Sequence, residues 1–183
     1  MKKLYCFLIL TGVCHASNAQ TISHFQNLLP TGGFEIFTDC PTWYNDLDSA
    51  YAWSNPMTNI PFVSGTPDYF NECAIYPVGI PQNIQGYQPA RTGFGYAGIL
   101  LGDHLEINYN YREYLQTFFS TPLSAGECYH FEMYVNLGNN CRFTTDDIGV
   151  LISDTYLSGI NNHDHLLYLP SMSNVSGNNL DTL

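Results

Sequence analysis

Apolar and polar residues alternate most regularly along residues 128–137. Tyr129, Phe131, Met133, Val135 and Leu137 fall on one side, and Cys128, His130, Glu132, Tyr134 and Asn136 on the other. A period of two predicts a β-strand with one face turned to a core. Full burial of each apolar side chain on that face is worth roughly 1.5–3 kcal/mol. Gly138-Asn139-Asn140 follows as a turn, and Ile148, Val150 and Ile152 mark the next strand. Upstream, residues 113–120 read as a strand closed by Thr121-Pro122, with Ser124-Ala125-Gly126 as the connection onward. Residues 93–101 form a further strand whose glycines point to close packing or a bulge, and residues 33–37 a short first one. Leu105, Ile107, Tyr109 and Tyr111 alternate as well, in a separate strand or an ordered excursion.

Between residues 40 and 88 no period is sustained. Prolines at 41, 56, 61, 67, 77 and 81 interrupt it, and the segment reads as a long aromatic-rich loop region with a helical turn near residues 46–51. A loop of this length inside a compact domain is usually functional or stapled. Strong helix formers are sparse, and aromatics, Gly, Asn and Thr are dense. Short strands joined by Pro/Gly turns, without helical partners, predict an all-β antiparallel sandwich of jelly-roll type.

The start of the chain reads differently. Lys2 and Lys3 precede an apolar run over residues 4–12, and Ser17-Asn18-Ala19 supplies small residues for cleavage. Residues 1–19 are therefore expected to be a secretory signal peptide. The run is short of the ~20 apolar residues that cross a bilayer, and no second long run follows. Residues 20–183 form one β-sandwich domain, with no transmembrane segment once the signal is removed.

Without Lys2 and Lys3 the formal charge goes from −11 to −13, with Arg91, Arg112 and Arg142 set against sixteen carboxylates. Such a surface repels nucleic acid and anionic membranes. Four cysteines outlast the signal: Cys40, Cys73, Cys128 and Cys141. In an exported chain they read as disulfide partners with three connectivities. A straight strand over residues 128–137 spans roughly 30 Å, at about 3.3 Å per residue. Cys128 and Cys141 then lie too far apart for a bridge, which needs α-carbons within about 7 Å. Cys40–Cys73, bracketing the aromatic loop, is the expected disulfide, and the state of the other two cysteines stays open.

Several groups of residues resemble a known family in order. Asn27-Leu28-Leu29-Pro30 runs into Gly33-Phe34-Glu35; then come Gly65-Thr66-Pro67-Asp68-Tyr69-Phe70-Asn71-Glu72-Cys73 and Gly86-Tyr87-Gln88-Pro89-Ala90-Arg91-Thr92-Gly93. Tyr96-Ala97-Gly98-Ile99, Tyr111-Arg112-Glu113-Tyr114-Leu115 and Leu123-Ser124-Ala125-Gly126-Glu127-Cys128-Tyr129 complete the set. Together they resemble the N-terminal jelly-roll, galactose-binding-like domain of exported proteins of gliding-type Gram-negative bacteria. Such proteins often continue into an OmpA-like, gliding-motility-associated or sorting domain. The resemblance implies a secreted, cell-surface or periplasmic location. It also implies that the sandwich is incomplete at its C-terminus, with the last strands and a C-terminal anchor or sorting domain missing from this chain. In carbohydrate-binding-like jelly rolls a glutamate in the position of Glu35 can hold a structural calcium, whose further ligands come from backbone carbonyls and a last acidic strand.

Candidate chemistry is dominated by rings. Trp43, Tyr44, Trp53, Tyr69 and Phe70 supply flat aromatic faces on which sugar C–H faces stack, beside Asn45, Asp46 and Asp48. The alternative is a satellite core beneath the long loop. Asp146-Asp147 and His163-Asp164-His165 are further cation candidates without an identifiable ligand set. No Gly-x-Ser-x-Gly, His-Glu-x-x-His or glycine-rich phosphate loop is present. Glu113 and Glu132 could flank a sugar, but their spacing does not single them out. Arg91 is expected to pair with a carboxylate. The expected function is a non-catalytic binding or adhesion module that recognises a glycan. The alternative is a structural or assembly domain whose partner is a cell-envelope component.

Overall fold

A computed structural model describes residues 26–57, 65–101, 112–141, 148–160 and 171–173. Residues 1–19, expected to be a signal peptide, residues 105–111, Arg142, Asp146-Asp147 and His163-Asp164-His165 lie outside the described residues.

The architecture is β throughout the described residues, with one 3-10 turn, Leu47–Ser49, and no α-helix. The turn falls where the sequence placed a helical turn. It is short because Ala50, the next residue, is extended and bridges to Phe37. The strands are β1 (Trp53–Ser54), β2 (Asp68–Asn71), β3 (Gln82–Asn83), β4 (Gly86–Tyr87), β5 (Gly95–Gly98), β6 (Gln116–Thr117), β7 (Gly149–Val150) and β8 (Met172–Ser173). They pair antiparallel as β1–β6, β2–β5, β3–β4 and β7–β8.

The pair β2–β5 is the centre. Phe70 lies opposite Tyr96, and their rings stack at 5.1 Å between centroids. Tyr69 and Asn71 share the other face, where their partners are the small residues Ala97 and Gly95. Tyr69 (0 % exposed) donates its hydroxyl to the Phe34 carbonyl at 2.8 Å and accepts the Asn71 amide at 2.7 Å. A Cβ on residue 95 would lie 2.5 Å from the Phe34 oxygen, so glycine lets the opening segment close over this face. Leu47, Ala50, Met57 and Val78 complete the buried apolar set. Burial also holds the Tyr96 phenol un-ionised, its pKa pushed up to about 12 although the Asn83 amide bond to its oxygen opposes the shift.

β2 is buried on both faces, which is why it shows no period of two and was read as loop. Residues 40–88 accordingly hold β1 to β4, not a structureless excursion. The strands expected over residues 93–101, 113–120 and 148–152 are present but shortened to β5, β6 and β7. Residues 33–37 form a turn and one bridge instead of a strand. Residues 128–137 form no strand and carry no ladder. Tyr129 (47 % exposed) and Val135 (47 %) face outward, because none of the described strands covers them. The turns after this segment and before it form as expected, closed by Cys141 N–H to the Gly138 carbonyl and Glu127 N–H to the Ser124 carbonyl.

Cys40 and Cys73 form the disulfide, with α-carbons 5.9 Å apart. Cys128 is exposed as a free thiol, and Cys141 is half-buried with its sulfur 3.7 Å from the Gln85 side-chain oxygen. Replacing Cys40 and Cys73 by serine is expected to lower unfolding free energy by about 2–4 kcal/mol, since the bridge closes a 33-residue separation. Urea denaturation measures this loss. Peptide mapping without reductant should return the 40–73 cross-link while Cys128 alkylates freely.

Candidate functional site

Short strands leave many backbone N–H groups without ladder partners, and side-chain oxygens take them up. Asn27, Asn55, Asn71 and Asn83 each accept the N–H two residues ahead. The carboxylates do the same over longer reaches. Asp46 Oδ2 accepts the N–H groups of Thr42 (2.8 Å) and Trp43 (3.2 Å). Asp48 Oδ1 accepts Asn55 N–H. Asp68 Oδ1, on β2, accepts Asn45 N–H at 2.9 Å, where Asn45 has a positive φ of 65°.

These bonds shape one edge of the molecule. The disulfide joins two segments, and three residues beyond each cysteine stands an exposed ring: Trp43 after Cys40 (60 % exposed) and Tyr76 after Cys73 (63 %). Tyr44 lies against Trp43, with ring centroids 5.0 Å apart and planes tilted by 56°. Desolvation raises the Tyr44 phenol pKa, and the proximity of Tyr76 and Asp68 raises it further, which puts both within electrostatic range of Tyr44. Trp43 and Tyr44 thus stand together on a loop tied by Asp46 and Asp68, and the disulfide brings the segment that carries Tyr76 beside it.

The other three predicted rings are not on this edge. Tyr69 and Phe70 are 0 % and 1 % exposed and belong to the core, so neither offers a face to a ligand. Trp53 stacks on Phe34 at 4.4 Å and donates its indole N–H to the Thr31 carbonyl at 2.9 Å. The five-ring platform is therefore reduced to Trp43 and Tyr44. Tyr76 was missed because the sequence does not show that the disulfide places it there.

Glu113 is 2 % exposed, and both of its oxygens accept backbone amides: Oε1 from Thr66 and Oε2 from Leu100, each at 2.7 Å. It clamps two distant segments to the start of the β6 region. Glu132 is exposed and accepts the Tyr134 hydroxyl. Arg91 lies over the Tyr134 ring, 3.4 Å from its centroid, and not against a carboxylate as expected.

Glu35 Oε2 accepts Phe94 N–H at 2.7 Å, while Oε1 is buried without a hydrogen-bond partner. The carboxylate packs where a side chain on Gly93 (φ +67°) would stand, so Gly93 serves both the turn and the contact. A cavity of about 340 Å³ adjoins it, lined by Glu35, Phe37, Asn71, Glu72, Cys73 and Phe94. Glu72 is a second carboxylate beside it. Among the described residues no three His, Cys, Asp or Glu side chains come together to hold a metal. Glu35 acts as a hydrogen-bonded latch on Phe94.

No family model, no curated protein and no solved structure matches the chain. Among the described residues no helix is long and apolar enough to cross a membrane.

Two substitutions test the carboxylate bonds. Glu113→Gln replaces one acceptor by a donor opposite a backbone N–H. It is expected to cost about 2–4 kcal/mol in chemical denaturation. Asp68 has its pKa raised to about 6, by burial first and by Glu113 and Asp46 beyond that, against the Asn45 N–H bond. A raised carboxyl pKa means the folded state favours the proton. The contribution of Asp68 to stability is thus fully present below the unfolded value of about 3.9 and is lost as pH rises through about 6. Asp68→Asn keeps the acceptor for Asn45 and removes the titration. The variant should gain roughly 1–3 kcal/mol on wild type between pH 4 and 6.5, read as the difference of two denaturation series.

Proposed function

We propose that this protein is an exported, non-catalytic binding module that recognises glycans at the surface of a Gram-negative cell. In this reading its β architecture is a galactose-binding-like jelly roll of the kind found in exported proteins of gliding-type bacteria. The observation that carries the glycan reading is the edge formed by Trp43, Tyr44 and Tyr76. Two of its rings are about 60 % exposed, on loops held in place by the Cys40–Cys73 bridge. An aromatic ring in water is costly. Three on one pinned edge supply the flat apolar faces that sugar rings stack on, with the polar groups of Asn45 alongside. The disulfide is in keeping with an oxidising compartment.

A second reading has its own support. Residues 128–137 pair with no other strand and leave Tyr129, Met133 and Val135 exposed, on a sequence patterned for one buried face. That is the profile of a strand completed by an envelope partner, as in a structural or assembly domain.

The two readings separate on the rings. Trp43→Ala and Tyr76→Ala should each weaken retention on a binding polysaccharide by tenfold or more, with melting temperature unchanged. Trp53→Ala, which removes a stacked and hydrogen-bonded ring, should instead lower the melting temperature. Affinity electrophoresis through glycan-containing gels, together with thermal melts, measures both. Retention that survives the loss of Trp43 and Tyr76 overturns the glycan reading at this edge.

A further inference from the structure

The rings that would stack on a sugar stand among fixed negative charges, and that limits which sugars fit. Trp43 N–H bonds to the Asp46 carboxylate, and the neighbouring Asn45 N–H bonds to Asp68. Both acids therefore lie within a side chain's length of the Trp43–Tyr44 backbone and are held there by hydrogen bonds. Glu113 stands behind Asp68, close enough for its charge to act on it. Among the described residues Arg91 is engaged over Tyr134, and the whole chain carries five Lys and Arg against sixteen acids.

Resting on the glycan reading above, we infer that the Trp43–Tyr44–Tyr76 edge selects neutral polysaccharides and rejects acidic ones. The physical reason is Coulombic. Stacking of a pyranose on an indole is indifferent to a distant carboxylate on the sugar. A uronic acid brought onto this edge, however, places its charge beside Asp46 and Asp68, and like charges at short range oppose binding. Hydroxyls of a neutral sugar meet the same carboxylates as hydrogen-bond acceptors, so one set of groups attracts one class and repels the other. The repulsion lies near the surface, so salt should screen it over about 10 Å at 0.1 M.

The test uses the full-length protein in affinity gels containing a neutral polysaccharide (a β-glucan or a mannan) or an acidic one (alginate or polygalacturonate). Each gel is run at low and at high salt. The expected result is retardation by at least one neutral polymer with affinity at least tenfold above that for either acidic polymer, equivalent to about 1.4 kcal/mol. The ratio should shrink in 0.5 M salt and in Asp68→Asn, which preserves the acceptor for Asn45. Equal retardation by both classes overturns the selectivity while the glycan reading stands. A ratio that neither salt nor Asp68→Asn changes also overturns it, since the discrimination is then not electrostatic. Retardation by no polymer of either class removes the glycan reading, and this inference with it.

Discussion

Side-chain oxygens that accept backbone N–H groups are the interaction on which this structure depends. Among the described residues six of the eight strands are two residues long, so ladders there satisfy few amides. A buried amide left unpaired costs as much as a lost hydrogen bond. A carboxylate taken out of water needs donors, and the chain offers five Lys and Arg for sixteen acids. Bonding carboxylate to amide solves both problems together. Glu35, Asp46, Asp48, Asp68 and Glu113 all do so. The charge remains on the protein, and this gives the aromatic edge its electrostatic character.

The reach of these bonds determines what they hold. Glu113 joins its own segment to Thr66, 47 residues away, and to Leu100. Glu35 ties the opening turn to Phe94, 59 residues on. Asp68 carries the loop of Asn45 to the central strand pair, 23 residues apart. Each closure is entropically unfavourable by an amount that grows only slowly with loop length, so a few strong bonds can organise a fold that has little ladder. The same bonds fix the edge: Asp46 and Asp68 set the backbone around Trp43 and Tyr44, and the disulfide sets the opposite segment. Rings held in this way lose little further freedom on meeting a ligand.

What was legible in the sequence follows from which signals are local. Turns at residues 124–126 and 138–140, the helical turn near residue 47, the β class and the Cys40–Cys73 pairing could all be read, because glycine, proline and cysteine act at fixed spacing. β2 could not: Tyr69, Phe70 and Asn71 are all buried, and a strand covered on both faces has no alternation. Residues 128–137 misled in the opposite sense, since alternation records which side chains are suited to burial, not whether a neighbouring strand is there to bury them. Tyr69 and Phe70 looked the same as Trp43 on composition, and only their pairing with β5 shows that they are core. The amide-clamping role of Glu113 had no signal at all, because its partners lie 13 and 47 residues away.

Two exposed apolar features among the described residues are physically different, and the difference bears on the proposed function. At the Trp43–Tyr44–Tyr76 edge Asp46 accepts the Thr42 and Trp43 N–H groups, Asp68 accepts that of Asn45, and the disulfide ties the two segments. Recognition there must be by rings and by charge. Along residues 128–137 the side chains Tyr129, Met133 and Val135 are exposed and the backbone has no ladder as well. In the structural reading a partner strand would supply the missing main-chain bonds and cover the apolar row. A sugar cannot do this, and a strand does not need the pinned rings. One chain can therefore carry a side-chain site for a small repeating ligand and a main-chain site for a protein. The two sites depend on different residues, so loss of one should leave the other intact.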